Sequence, residues 1–341
     1  MTLEELAKAC QSCTQKNPVI VLGSGASIPH GIRGMADLAN WLIDQVDADD
    51  GSEAEAWTLV RTSLDNGKHL EAALEENTLP QTLVVKVVRS TWDFIAADDY
   101  ELLKSAIKAE TTFPLQNLFK GLFRSTNRNI HVITTNYDRV AEYASDTGGY
   151  IHHNSFLPGY IRHSNGGESL SFRIGKSPAQ TVTIWKVHGS LDWFTDTANN
   201  VIALPLTNDL PEGLTPLIVT PGVSKYQRTH DEPFRSAIQG ADRVLNSATA
   251  IICIGYGFRD SHIHPKLITR CRNHDAPILV AAHTLTSEAR EFLRSNAGRH
   301  YVGLEHHADG TMVYTREHPD GALLRDGSYW ELPALNELVG F

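Results

Sequence analysis

The stretch Val19-Ile20-Val21-Leu22-Gly23-Ser24-Gly25-Ala26-Ser27 decides the fold. A β-branched apolar run that stops at closely spaced glycines has the form of a buried strand entering a tight turn. Glycine lets the backbone turn sharply and approach a neighbour, and the amides of a following helix start can hold a diphosphate. Taken alone, such a turn is as much at home in a purely structural role. Just beyond it, Met35, Leu38, Ala39, Leu42 and Val46 recur at helical spacing, so a helix is expected from near Arg33.

Working outward, residues from about 50 to 125 carry helical patterns and no convincing strand. Ile130–Thr134 reads as the second strand, followed by a helix over Tyr137–Ala144. Val182–Val187, Leu217–Thr220, Ala250–Ile254 and Pro277–Ala282 are further strand candidates. Near-continuous apolar strands alternating with helices indicate an α/β fold, Rossmann-like, with a mostly parallel sheet covered by helices on both faces. The expected organisation is one domain over residues 1–341, with a helical insertion at about 36–125 and a C-terminal edge extension at about 286–341. Residues 150–180 are rich in Gly, His and Ser and are expected to form a loop or small hairpin. The last forty residues read as irregular strands and turns around the edge of the domain.

Composition narrows the function. Among 341 residues, Lys+Arg 30 against Asp+Glu 40 gives a net charge of −10. This disfavours a general electrostatic grip on DNA or RNA, so no direct nucleic-acid partner is expected. The longest apolar runs are far too short to span a bilayer, and no basic-then-apolar signal opens the chain, so the expectation is a cytoplasmic protein with no membrane partner. Cys10 and Cys13 share a stripe with Leu3, Leu6 and Ala7 in a helix that opens on a capping-box pattern, Thr2-Leu3-Glu4-Glu5. A buried apolar face explains that pair better than a metal site, and Cys253 and Cys271 assemble no zinc site. His262 and His264 have a spacing compatible with metal ligation, but no third ligand is evident beside them and Pro265 follows; no metal is expected.

In parallel sheets ligands bind at the C-terminal ends of the strands, and the polar motifs all fall there. An ordinary dehydrogenase fingerprint is excluded, because position 28 is Ile28 and the second strand comes roughly a hundred residues late. A Walker loop is excluded because Gly175-Lys176-Ser177 is preceded by Leu170 where a glycine is required. In Thr134-Thr135-Asn136-Tyr137-Asp138, Asn136 offers a donor and an acceptor at a strand-to-helix turn, while Asp138 suits either a helix cap or a ligand. His188-Gly189-Ser190 places a histidine, with glycine leaving room beside it, where a general base would serve near neutral pH; a structural histidine is the alternative. Gly255-Tyr256-Gly257, with Asp260 beyond, repeats the glycine turn after a buried strand.

Together and in this order, GSGAS (23–27), TTNYD (134–138), VHGS (187–190) and GYGFRD (255–260) resemble the sirtuin superfamily over about residues 18 to 285. The resemblance implies NAD⁺ as substrate, held by Gly23, Ser24, Gly25, Ala26, Ser27, Arg33, Thr135, Asp138, Gly189, Gly255, Tyr256 and Gly257. It implies cleavage of the nicotinamide–ribose bond, with Asn136 orienting ribose and water and His188 acting as base. Arg33 is equally explained as a phosphate contact or as a solvated helix-start residue. Departures matter as well: the four-cysteine zinc module of the deacylases is missing between His188 and Gly255, and Met35 stands where an aromatic residue would cover the sugar. The chain is most similar to zinc-free sirtuin-like effectors of bacterial antiphage defence, to which Ile218–Tyr226 also bears likeness. That branch implies an NAD⁺ glycohydrolase kept latent by self-assembly or by a partner, such as a HerA-type ATPase or an Argonaute. A deacylase or ADP-ribosyltransferase using the same site is the competing enzyme class, and an NAD⁺-sensing regulator without turnover the non-enzymatic alternative.

Overall fold

The structure, a computed structural model, describes residues 1–48, 51–205, 207, 209–220 and 231–341. The motif at 218–226 therefore lies outside the described residues from 221 onward.

Helix α1 (Leu3–Thr14) opens on the expected capping box: Glu5 N–H donates to Thr2 Oγ1, and Thr2 N–H to Glu5. Strand β1 (Pro18–Leu22) follows, then two 3₁₀ turns at Ser24–Ala26 and Ile28–His30. Helices α2 (Met35–Gln45), α3 (Gly51–Asp65), α4 (Leu70–Glu76), α5 (Gln81–Ile107) and α6 (Pro114–Leu122) fill the interval before β2 (Asn129–Thr134). Helix α7 (Val140–Thr147) leads to β3 (Ile151–His153), β4 (Arg162–His163), and the hairpin of β5 (Arg173–Ile174) with β6 (Ser177–Pro178). Then come β7 (Thr181–Lys186), β8 (Gly189–Thr195), β9 (Val201–Ala203), β10 (Thr215–Ile218), α8 (Phe234–Ser247) and β11 (Ala250–Ile254). Helix α9 (Ile263–Ile268), β12 (Ile278–Ala282), α10 (Ser287–Ser295), β13 (Tyr301–His307), β14 (Gly310–Tyr314), β15 (Ala322–Arg325) and α11 (Leu332–Val339) complete the chain.

The main sheet runs β15-β14-β13-β12-β11-β1-β2-β7-β3, parallel from β13 to β3 and antiparallel only at the β14–β15 edge. Because side chains alternate along a strand, β1 sends Ile20 and Leu22 into one core and Val19 and Val21 into the other. Strand β11 does the same with Ile252 and Ile254 against Ile251 and Cys253. Helices α1 to α7 cover the first face, and α8, α9 and α10 the second. The expected α/β class, with helices inserted after the first strand, is what the chain adopts.

Several details depart from the sequence expectation. Helix α7 begins at Val140, not Tyr137, because residues 135–139 are drawn into side-chain contacts before a helix can close. Residues 217–220 are not a strand of the parallel sheet: β10 pairs antiparallel with β8 in a separate sheet of order β10-β8-β9-β4. Within 150–180, β3 pairs parallel with β7, a strand too short to leave a pattern. The last forty residues do form the edge, but regularly, ending in α11, which packs on α1 and α6.

One buried ionic junction ties the helical insertion to the sheet. Asp99 on α5 is fully buried and accepts from Arg139 N and Nε at 2.7 and 2.9 Å and from the Tyr143 hydroxyl at 2.6 Å. Asp99→Ala would strand the Arg139 guanidinium without its partner. We expect a loss of about 3–5 kcal/mol, the usual cost of breaking a buried pair, seen as a lower urea midpoint with an unchanged slope.

Candidate functional site

At the C-terminal ends of β1 and β11 two glycine turns lie backbone against backbone. Gly23 N–H donates to Ile254 O at 3.1 Å and Gly25 N–H to Gly255 O at 3.2 Å. A Cβ on Gly23 would stand 2.4 Å from Gly255 O; one on Gly255 would stand 2.3 Å from Ala26 N, and Gly255 also has φ +58°. Only glycine fits either place. Ser24 and Gly25 are exposed on the rim, whereas Ala26 and Ser27 are buried.

At the end of β2, Asn136 donates from Nδ2 to Gly23 O at 2.9 Å and to Ser27 Oγ at 3.0 Å. The side chain thus joins two of the sequence-expected motifs directly. Thr135 is partly exposed beside it, its N–H directed at Leu22 O. Asp138 is buried, and Oδ1 accepts from Val140 N at 3.1 Å, two residues on; the helix N-cap itself is Arg139, so Asp138 braces the turn ahead of the helix without capping it. Burial pushes the Asp138 carboxyl up to about 6, against the opposing pull of the Lys186 charge and of the Ser27 hydroxyl. Lys186, fully buried, donates from Nζ to Asp138 O and lies 3.3 Å from Glu142 Oε1. Asn136, Ser27, Asp138, Lys186 and Glu142 form one continuous polar chain from the rim into the interior.

His188 follows β7 and is held from behind by Val219, whose N–H donates to His188 O at 2.8 Å. Gly189, with φ +89°, then reverses the chain into β8; a Cβ there would meet Leu217 O at 2.1 Å. His188 Nε2 stands 2.8 Å from Asp260 Oδ2, with both side chains largely buried. Asp260 Oδ1 accepts from the N–H groups of His262 and Ile263 at 2.9 and 2.8 Å. Burial works against the Asp260 charge, but His188 and those two amides outweigh it and hold the carboxyl well below the usual carboxylate range. The sequence offered Asp260 only as a residue beyond a glycine turn. Its role was illegible because β11 and β7 are three strand spacings apart, roughly 14 Å at about 4.8 Å each, and meet only through their loops.

Other expected residues sit differently. Arg33 is bound to α5, its Nε donating to Asp98 at 2.9 Å and its guanidinium 3.8 Å over the Phe94 ring. It is therefore neither simply solvated nor free for a phosphate in this arrangement. The Tyr256 side chain is buried against Phe258, so a ligand at that turn meets backbone only. Gly257 O accepts from Thr286 Oγ1 at 2.7 Å. The four cysteines are buried, and burial pushes the Cys13 and Cys271 thiols up to about 11 and about 12. Among the described residues no group of three or more His, Cys, Asp or Glu is arranged to hold a metal, and no helix is long and apolar enough to cross a membrane.

Residues 130–297, from β2 through α10, match the model of the SIR2-like domain, which supports a sirtuin-like family. No curated protein matches the chain. Solved structures that it resembles include one from a study of the mechanism and regulation of Sir2 enzymes, 12% identical over 99% of this chain and 97% of that one, with a TM-score of 0.48. A Sir2 homologue in complex with NAD is 16% identical over 88% and 87%, with a TM-score of 0.45. A Sir2 homologue mutant bound to 2′-O-acetyl ADP-ribose is 16% identical over 85% and 88%, also at 0.45.

The raised Asp138 carboxyl makes a signed prediction. Its folded value lies above the unfolded one, so the folded chain binds the extra proton between about pH 4 and 6. The stability this confers is present below about pH 4 and lost as pH rises through about 6. Asp138→Asn should flatten that slope, which for a displacement of this size is on the order of 3 kcal/mol across the window. Urea unfolding of both proteins at several pH values from 4 to 7 measures it.

Proposed function

We propose, for a chain that carries a SIR2-like domain across residues 130–297, that the crevice binds NAD⁺ and hydrolyses the bond between nicotinamide and ribose. One observation carries this reading above the rest: the contact of His188 with Asp260 at 2.8 Å, set at the strand ends beside Asn136 and the two glycine turns. A base oriented by a buried carboxylate is machinery for moving a proton, which nucleotide binding alone does not call for.

The roles follow from the side chains. The rim of Gly23, Ser24 and Gly25 with Gly255 and Gly257 lets a dinucleotide lie against backbone, and Ala26, Ser27, Thr135, Asp138 and Gly189 shape the turns behind it. Nδ2 of Asn136 is spent on the loop, so its oxygen is the group left to meet a ribose hydroxyl or the attacking water. Nε2 of His188 faces Asp260 Oδ2, and the imidazole is the group placed to accept a proton. As the C1′–N bond breaks, its electron pair leaves with nicotinamide and the ribose becomes oxocarbenium-like. Water adds at C1′ and gives up a proton, so NAD⁺ and water yield nicotinamide, ADP-ribose and H⁺. Asp260 stabilises the imidazolium formed on the way. We extend the reading to a regulated NAD⁺-depleting effector of antiphage defence in the cytoplasm, held latent by homo-oligomerisation or by a partner of the HerA-type ATPase class; the motif resemblance supports this extension.

Nicotinamide release from NAD⁺, followed by chromatography with and without candidate partners, tests the reading. His188→Ala is expected to lower turnover by at least about 10²-fold, the contribution of a positioned base. Asn136→Ala should also abolish it, and Asp260→Asn should reduce kcat and alter the pH–rate profile, each with native circular dichroism. Absence of both NAD⁺ binding and nicotinamide release under every condition would overturn it.

A further inference from the structure

Between Gly257 and Asp260, the turn after β11 places a phenylalanine in a conformation that phenylalanine avoids. Phe258 has φ +58°, in the left-handed region, where Cβ crowds the following carbonyl and glycine is at ease. For a bulky residue this is an outlier, and such residues persist only where their surroundings over-determine them. Glycine would take the same φ without strain, so the Phe258 side chain has to offset the strain that it causes.

The offset comes from burial. The Phe258 ring is fully buried, its centroid 4.7 Å from Phe292 on α10, 5.0 Å from Tyr256 and 5.9 Å from His264 on α9. Rings packed at these separations attract one another beyond the area they bury. The start of α10 also holds the residues on either side: Thr286 Oγ1 donates to Gly257 O at 2.7 Å, and Arg259 Nε to Glu288 at 3.1 Å. The Arg259 pair is exposed to water and contributes little. The Phe258 ring and the Thr286 bond therefore fasten the turn to α10, as Gly255 fastens it to the turn after β1.

What this fastening governs lies two residues on. Asp260 is buried, its backbone oxygen accepts from His264 N–H at 3.1 Å, and its Oδ2 stands 2.8 Å from His188 Nε2. Relaxing Phe258 from +58° to an ordinary φ of about −60° would rotate the chain by about 120° just ahead of Asp260 and carry the carboxylate away from β7. A fully buried ring touches no ligand in the crevice, so Phe258 acts on the site through Asp260. On the reading of His188 and Asp260 as the proton-moving pair, we propose that Phe258 is a positioning residue: its left-handed backbone, locked by the ring against Phe292, holds Asp260 in reach of His188.

Isotope labelling of the histidine ring nitrogens, with His188→Ala to assign the His188 signals, lets NMR read that contact without turnover. Phe258→Ala is expected to move the His188 ring signals in the direction that Asp260→Asn moves them. Added to Asp260→Asn, it should leave them nearly where that variant put them. Phe292→Leu, which keeps the cluster apolar and the chain folded, should shift them the same way by less. Phe119→Leu, in the core on the other face of the sheet, should not. In nicotinamide release, Phe258→Ala should lower kcat at least about tenfold with KM within about threefold, and add nothing to Asp260→Asn. His188 signals unmoved in folded Phe258→Ala or in Phe292→Leu, or full additivity with Asp260→Asn, would sink the assignment. Signals that move as expected in a protein that neither binds NAD⁺ nor releases nicotinamide under any condition uphold it, and sink the hydrolase reading instead.

Discussion

The site is built on the approach of two backbones at Gly23 and Gly255. The turn after β1 and the turn after β11 share hydrogen bonds at 3.1 and 3.2 Å, and no side chain fits between them. Neighbouring parallel strands end side by side, but their loops ordinarily splay apart. Here the contact holds the 255–260 turn down across the end of the sheet. Asp260 is thereby carried toward β7, three strands away, and meets His188. A single methyl group at Gly23 or Gly255 would lift the turn, and the pairing of base and acid would be lost through geometry before any chemistry changed.

Behind that surface the protein keeps an unusual amount of charge in its interior. Asp99, Arg139, Glu142 and Lys186 are all buried, and each ion removed from water carries a penalty of several kcal/mol. Apolar residues of the same volume would pack these positions at less cost. What the charges supply instead is direction. Asp99 fixes the backbone of Arg139 as well as its guanidinium, and Lys186 fixes the carbonyl of Asp138, so residues 134–139 have one arrangement in which Asn136 faces Gly23. Satisfied networks of this kind rigidify their surroundings, and half-satisfied ones do not.

Much of the fold was legible in the sequence because its strands are buried on both faces. Five-residue runs such as Ala250–Ile254 announce themselves without any alternation, and each is followed by glycine or a polar residue. The edges were not legible, for the same reason. Strand β3 spans Ile151–His153 and is specified by its neighbour β7, and the course of β8 away from the sheet depends on the positive φ of Gly189. Asn136, His188 and the glycine turns were visible as motifs at strand ends. The partnership with Asp260 was not, because a distance across four strands is a property of sheet order, and local sequence carries no record of it. Arg33 shows the converse limit: a lone arginine at a helix start reads equally as a phosphate contact or a solvated residue, and neither reading anticipates Asp98 and Phe94 on α5, which claim it.

Asp138 and Asp260 show how one crevice gives two carboxylates opposite characters. Both are buried, and burial alone would raise both. Asp260 has His188 and two amides directed at it and stays ionised through the neutral range, as a group must if it is to hold an imidazole in one orientation while that ring gains and loses a proton. Asp138 has only the Lys186 charge, the Ser27 hydroxyl and the amide of Val140 to offset burial, and Asp99 opposes them, so its carboxyl titrates near 6. The environment pushes the two values apart, as it does where carboxylates divide acid and base roles. Protonation near neutrality therefore acts on the Ser27–Asn136 side of the crevice, which grips the glycine turn. The carboxylate facing His188 keeps its charge there, so the two sides of the crevice differ in which carboxyl takes up a proton.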